Sequence, residues 1–175
     1  IMIPNEILTK PGKLTVAEYN IMKQHVNFGY EKVKNQNIDI RIKEACLLHH
    51  EKCDGTGYPF GLKSDHIPAV AKIIAIADVY DAMTSARVYR GALCPFEVID
   101  TMYKDAFTKF EPEYILPFLK NVASSYINND VRLSDGRIGK VVLINENALS
   151  LPIVQCEDEF IDLSKTRELT VSAIL

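Results

Sequence analysis

The sequence predicts a mainly α-helical domain followed by a small C-terminal β module. Three observations carry this. Apolar residues recur at spacings of three and four across 15–126, the period of helices with one inward face. Pro and Gly cluster at 4–12 and 55–68, where they mark loops between such segments. Past Tyr126 the pattern changes: Asn128, Asn129 and Asp130 form a polar break, and short β-like runs follow. The expected domains are 1–127 and 128–175.

The elements follow in order. The opening PNEILTKPGKLT is a loop around a short apolar step. A helix starts at Thr15, where Thr15 and Glu18 have the spacing of a capping box. It runs to 35–37 with Tyr19, Met22, Val26, Gly29 and Val33 inward and His25 at the edge of that face. In the second helix Ile42, Ala45, Cys46 and His49 repeat at three and four, so its histidines point inward, and it ends near Asp54-Gly55. A loop spans 55–68. A third helix covers 69–85; Ile74, Asp78, Asp81 and Ser85 share one face and Ile73, Ala77 and Tyr80 the next. Pro95 suits the first turn of a fourth helix that buries Val98, Ile99, Met102 and Tyr103. Pro112 opens a fifth with Ile115, Leu116, Leu119 and Val122 inward.

In the β module, VRL and RIGKVVLI flank Ser134-Asp135-Gly136, a hairpin signal. PIVQC and FIDL flank the acidic turn at 157–159, and LTVSAIL supplies a last strand. Five short strands at most fit in 131–175.

Bulk properties bound the function. At 175 residues, 47% hydrophobic and 25% charged, the chain suits one globular domain with a small appendage. A formal net charge of -3 excludes a global basic field that recruits nucleic acid polymers, so an anionic small ligand needs local cations. Cys46, Cys53, Cys94 and Cys156 form no CxxC pair, and reduced thiols in a cytosolic setting are the expectation. No run approaches the roughly twenty apolar residues of a membrane span. The first residues do not read as a signal peptide.

The densest chemistry lies in HHEKCDGTGYPFGL, at 49–62. Adjacent histidines before a glycine-rich, aromatic-bearing turn suit metal ligands beside a substrate pocket better than core packing. Asp78 and Asp81 lie in an otherwise apolar helix, where bare carboxylates need cations, donors or a proton. Metal ligation is favoured for Asp78. For Asp81, a catalytic role and a simple hydrogen bond to a neighbouring loop stand about even. A lone inward histidine is more often a satisfied core residue than a ligand. Three on inward faces of one bundle argue otherwise, and imidazole with carboxylate suits iron, manganese or zinc better than magnesium. His66, in the loop, reads as surface.

These motifs resemble the HD-GYP family, metal-dependent phosphodiesterases that hydrolyse cyclic di-GMP, over residues 3–118. The resemblance implies an HD-domain-like helical bundle holding two or three divalent metals, iron or manganese. It implies hydrolysis to pGpG and/or GMP by a metal-activated hydroxide. His25, His49, His50 and Asp78 match metal ligands, and Asp78 and Asp81 are the catalytic carboxylates. Gly57, Tyr58 and Pro59 match the namesake loop, and Arg87 and Arg90 match residues that hold ligand phosphates; a rigid turn and a solvated helix end are the plainer alternatives. Asp54 suits a carboxylate that orients a ligand histidine from behind.

The family's His-Asp pair belongs just before Ile3, so this reading expects the domain to be N-terminally incomplete here, with the three histidines left to hold a single metal. Lys72 stands where arginine is common, with little consequence expected. Diguanylate cyclase domains are the implied docking partners, a homodimer the implied assembly and the cytosolic side the implied location. The β module resembles tails that follow this domain in some bacterial proteins. A catalytically inactive cyclic di-GMP sensor or docking module is the competing reading. A hydrolase of another nucleotide is a third, against which the GYP loop argues.

Overall fold

The computed structural model describes residues 2–86, 91–166 and 168–175. Two compact units emerge: residues 1–92 with 107–111, and residues 93–106 with 112–175.

The first unit contains α1 (Asn5–Leu8), α2 (Val16–Met22), α3 (His25–Val33), α4 (Ile40–Leu48) and α5 (Ala69–Thr84). The capping box forms as expected: Glu18 N donates to Thr15 Oγ1 at 3.3 Å and Thr15 N donates to Glu18 Oε2 at 2.7 Å. The helix it starts is shorter than predicted, because the chain breaks at Lys23-Gln24 into α2 and α3. His25 Nδ1 lies 2.8 Å from the Met22 carbonyl. A continuous helix would offer that carbonyl to the Val26 amide, so the ring competes with the helical ladder at the break.

The second predicted helix also stops early. His49 is its C-cap, and the His49 amide and Nδ1 both bond the Ala45 carbonyl, at 3.2 and 2.9 Å. His50 therefore lies beyond the helix. Tyr19, Ile42, Ile73 and Ile74, expected inward or on apolar faces, are exposed. Their periodicity is real, but the unit's core is narrower than the pattern implies. It gathers Val26, Leu48, Ile67, Ala71, Ala75 and Ile76. His66 is exposed, as expected.

Lys72 explains why 107–111 belong with this unit. Its Nζ lies 2.7 Å from Glu111 Oε2 and 2.8 Å from Ser64 Oγ. Ser64 Oγ donates to the same Glu111 oxygen. The Cys53 amide adds a 2.9 Å bond to the Lys109 carbonyl. Lys72 is thus half of a part-buried ion pair. Lys72→Met removes the cation and leaves Glu111 the Ser64 hydroxyl. With solvent screening allowed for, we expect a loss of about 1–2 kcal/mol, read as a lower urea midpoint at unchanged m-value.

The second unit contains α6 (Pro95–Asp105), α7 (Pro112–Ser125) and strands β1 (Asp130–Leu133), β2 (Ile138–Leu143), β3 (Ile153–Cys156), β4 (Glu159–Asp162) and β5 (Val171–Ile174). All pairings are antiparallel, in the order β4-β3-β2-β1-β5. Both predicted hairpins form, and Gly136 takes φ +92°, a backbone that favours glycine. Val131, Leu133, Val141 and Val154 point inward with Val98, Ile99, Met102, Ile115 and Leu119. Tyr103 is exposed, and Leu116 and Val122 are only part-buried. The composition break after Tyr126 thus marks the passage from helix to strand. The compact units divide earlier, since α6 and α7 cluster with the sheet.

Candidate metal centre

Three local devices bring the histidines together. His25 opens α3, His49 caps α4, and His50 follows on the turn beyond. Their imidazoles converge: His25 Nε2 lies 3.4 Å from His49 Nε2 and 3.1 Å from His50 Nε2. One ligand atom from each lies within 4.8 Å of the others.

The hydrogen bonds fix what these atoms present. With Nδ1 of His25 and His49 donating to the Met22 and Ala45 carbonyls, each Nε2 is a bare lone pair. Two such lone pairs at 3.4 Å repel unless a cation sits between them. Imidazole nitrogens on one metal at roughly 2.0–2.1 Å have neighbours at roughly 3.0–3.4 Å, so the observed approaches fit a shared ion. The chain's own donor set therefore fits a metal.

Burial, then the neighbouring His49 and His25, and then Lys52 push the His50 imidazole down from 6.5 to about 3. His50 is neutral at ordinary pH, as a ligand must be. Asp78 Oδ2 stands 3.6 Å from His50 Nδ1. With a neutral ring this is not a true ion pair, and the distance is too long for a hydrogen bond. Asp78 lines the same cavity but lies beside the converging nitrogens rather than among them.

The pH consequence has a definite sign. Below about 6.5 the unfolded chain protonates His50, whereas the folded protein resists down to about 3. In chelator, stability therefore falls as pH drops through that window. Denaturant melts at pH 7.5 and 4.5 check this: His50→Gln gains stability relative to the parent at the lower pH.

The GYP loop covers the site. The Tyr58 ring packs on His50 with centroids 4.7 Å apart and planes 31° apart, and meets His25 edge-on at 6.4 Å. Burial, then Tyr19 and Asp78, raise the Tyr58 phenol, which stays protonated and able to donate. Gly57 is a packing requirement, because a Cβ there would meet Lys52 N at 2.4 Å and Glu51 Cα at 2.5 Å.

Beneath lies a cavity of about 660 Å³, lined by the histidines, Asp78, Tyr58, Gly57, Lys10, Lys13 and Lys52 among others. The size suits a nucleotide-sized ligand. The lysines are the local cations that an anionic ligand needs. Lys10 is held by Glu18 at 2.6 Å, and Lys23 Nζ sits over the Tyr19 and Tyr58 rings at 5.3 and 6.0 Å. Sequence reasoning missed these lysines; the KPGKL cluster in the opening loop was the signal for Lys10 and Lys13.

Other predicted residues stand apart. Asp81 is exposed, does not line the cavity, and accepts from Ser85 Oγ at 3.4 Å. Pro59 is part-buried behind Tyr58 and does not line the cavity. Asp54 is corrected: its carboxylate accepts from the Thr56 amide and hydroxyl at 2.9 and 2.7 Å, and backbone carbonyls orient His25 and His49 instead. Arg87 and Arg90 lie outside the described residues. Glu51, not singled out by the sequence, is buried next to the histidine pair.

These helices bring three imidazoles to a cavity that Asp78 and three lysines also line, a donor set that fits a metal ion. Residues 1–114 match the HD domain family, and the chain belongs to it, as the resemblance to HD-GYP members implied.

The chain is 36% identical over 154 residues to the cyclic di-GMP phosphodiesterase PA4108 of Pseudomonas aeruginosa, covering 87% of this chain and 37% of that protein. It is 42% identical over 125 residues to the cyclic di-GMP phosphodiesterase response regulator RpfG of Xanthomonas campestris pv. campestris, covering 70% and 33%. It is 38% identical over 118 residues to the 3'3'-cGAMP-specific phosphodiesterase 2 of Vibrio cholerae, covering 66% and 22%. The chain thus spans about a third or less of the length of these curated relatives. Among the described residues no helix is long and apolar enough to cross a membrane.

Proposed function

We propose that this chain carries the metal-binding part of a cyclic di-GMP phosphodiesterase. One observation carries the reading: three imidazoles whose Nε2 atoms converge at 3.1 and 3.4 Å in a lysine-lined cavity. Similarity to proteins named as phosphodiesterases of cyclic dinucleotides supports it. His25, His49 and His50 hold the metal, with Asp78 beside them as a further ligand; iron or manganese is proposed. When bound, the metal supplies a Lewis acid that lowers the pKa of water and offsets phosphoryl charge.

The chain's own residues do the rest. The Nδ1 bonds hold the rings in the ligating tautomer, and Lys13 and Lys52 draw the anionic diester into the cavity. Tyr58 packs on the nucleotide or donates to it. Arg87 and Arg90 hold its phosphates; Asp81, exposed and outside the cavity lining, serves as a helix-end acceptor for Ser85 rather than a second catalytic carboxylate. The products are pGpG and/or GMP. Diguanylate cyclase domains as partners, a homodimer and a cytosolic location are proposed from the family resemblance.

The names of the relatives also favour a second substrate, 3'3'-cGAMP. Turnover of both dinucleotides by the Mn²⁺- or Fe²⁺-loaded protein, followed by chromatography of the products, tests the assignment. Preferential cleavage of cyclic di-GMP is expected. Preferential cleavage of the mixed dinucleotide moves the assignment to it, and tight binding without cleavage identifies a sensor.

A further inference from the structure

Among the described residues Glu51 is the one buried polar or charged side chain, at 3% exposure. A buried carboxylate is costly unless its lone pairs are satisfied. Among the described residues, the hydrogen-bond partners of Glu51 are backbone amides. Oε1 accepts the amides of Phe60 at 2.7 Å and Gly61 at 3.2 Å, and Oε2 accepts the amide of Leu62 at 2.8 Å. Three backbone donors on one carboxylate form a charge-assisted latch. The latch spans two segments that matter to the site: Glu51 follows His50 directly, and residues 60–62 continue the GYP loop.

A second tie runs back the other way. The Tyr58 amide donates to the His50 carbonyl at 3.1 Å. Between the two ties, Gly57 lies against the backbone of residues 50–52 with no room for a Cβ. The outcome is the Tyr58 ring held on His50. Glu51 is not in the group of ligating side chains. Its contacts run to the loop.

We infer that Glu51 is a positioning residue whose carboxylate latches the GYP loop to the segment bearing His49 and His50, fixing Tyr58 over the metal centre where it meets the ligand. The ligand half of this inference rests on the phosphodiesterase reading; the latch itself does not.

Glu51→Gln tests it. The amide keeps the size but aims an NH₂ at backbone donors. Three readouts on the whole chain separate the possibilities: amide exchange of peptides covering 57–62, Mn²⁺ stoichiometry, and KM with kcat for cyclic di-GMP, each repeated with Tyr58→Ala and the double variant. We expect exchange at 60–62 to accelerate about tenfold or more, given the strength of hydrogen bonds to a charged acceptor. Mn²⁺ stoichiometry stays unchanged, KM rises more than kcat falls, and Tyr58→Ala adds little on top of Glu51→Gln.

Unchanged protection at 60–62 overturns the inference. So does loss of Mn²⁺ together with protection across 40–48, which makes Glu51 a general support, and so do independent, multiplying effects of the two substitutions. Should Glu51→Gln fail to fold, Glu51→Asp, one methylene shorter, is read by the same measures, with intermediate loosening expected. Absence of turnover in the parent protein overturns the phosphodiesterase reading alone, since exchange and Mn²⁺ binding still judge the latch.

Discussion

His50→Ala is expected to abolish metal binding and every activity that depends on it. His50 contributes one of three converging nitrogens, and its Nε2 makes the shortest approach to His25, at 3.1 Å. Removing a partner that merely orients a metal ligand costs roughly 10–100-fold in affinity, so losing a ligand itself exceeds that range. The substitution also strips the ring on which Tyr58 packs, so binding of the dinucleotide weakens too. Calorimetric titration with Mn²⁺ reads the first effect and equilibrium dialysis of the dinucleotide the second. His66→Ala, an exposed histidine away from the cavity, leaves both unchanged. Metal bound at full stoichiometry by His50→Ala would remove His50 from the ligand set.

The second large effect is expected at Gly57. An alanine there places its Cβ 2.4 Å from Lys52 N, 2.5 Å from Glu51 Cα and 2.6 Å from His50 O. These are backbone atoms, so no rotamer change relieves the clash. Either the loop or the histidine segment must move, at roughly the 1–3 kcal/mol typical of overpacking. Because the loop carries Tyr58 and the segment carries His49 and His50, Gly57→Ala lowers both the melting temperature and the affinity for the dinucleotide. Gly91→Ala, where a Cβ meets nothing within 4 Å among the described residues, provides the comparison for melting temperature and is near neutral there. A Gly57→Ala protein with parental stability and affinity would mean that the loop is not seated as described.

Much of this architecture was legible in the residues. Thr15 with Glu18, Pro95 and Pro112 mark helix starts that the structure keeps, and the turn residues Ser134-Asp135-Gly136 mark a hairpin that forms. Local signals of this kind depend on neighbours in sequence. The misses share a different cause. The break between α2 and α3 comes from a side chain taking a backbone carbonyl, which hydrophobic periodicity does not register. Tyr19 and Ile42 satisfy a helical repeat yet face out, because a repeat reports a face and not whether anything covers it.

The site was half legible. Adjacent histidines before a Gly-Tyr-Pro turn pointed to the centre, and His25 joins them in space. Glu51 was invisible as a latch, since an acid beside lysine reads as solvated until its three amide partners are known. Asp54 looked better placed to steady a histidine, yet its short side chain closes on Thr56 first. Asp81 shares a helix face with Asp78 in sequence, but one turn of helix takes it away from the cavity lining.

His25, His49 and His50 are proposed to hold one metal jointly through Nε2. X-ray absorption at the metal edge of the anaerobically loaded protein tests it most directly. About three imidazole nitrogens per bound ion are expected, at roughly 2.0–2.2 Å, with one fewer in His25→Ala and no binding in His50→Ala. A protein that binds no iron, manganese or zinc, or one whose bound ion shows only oxygen neighbours, would contradict it.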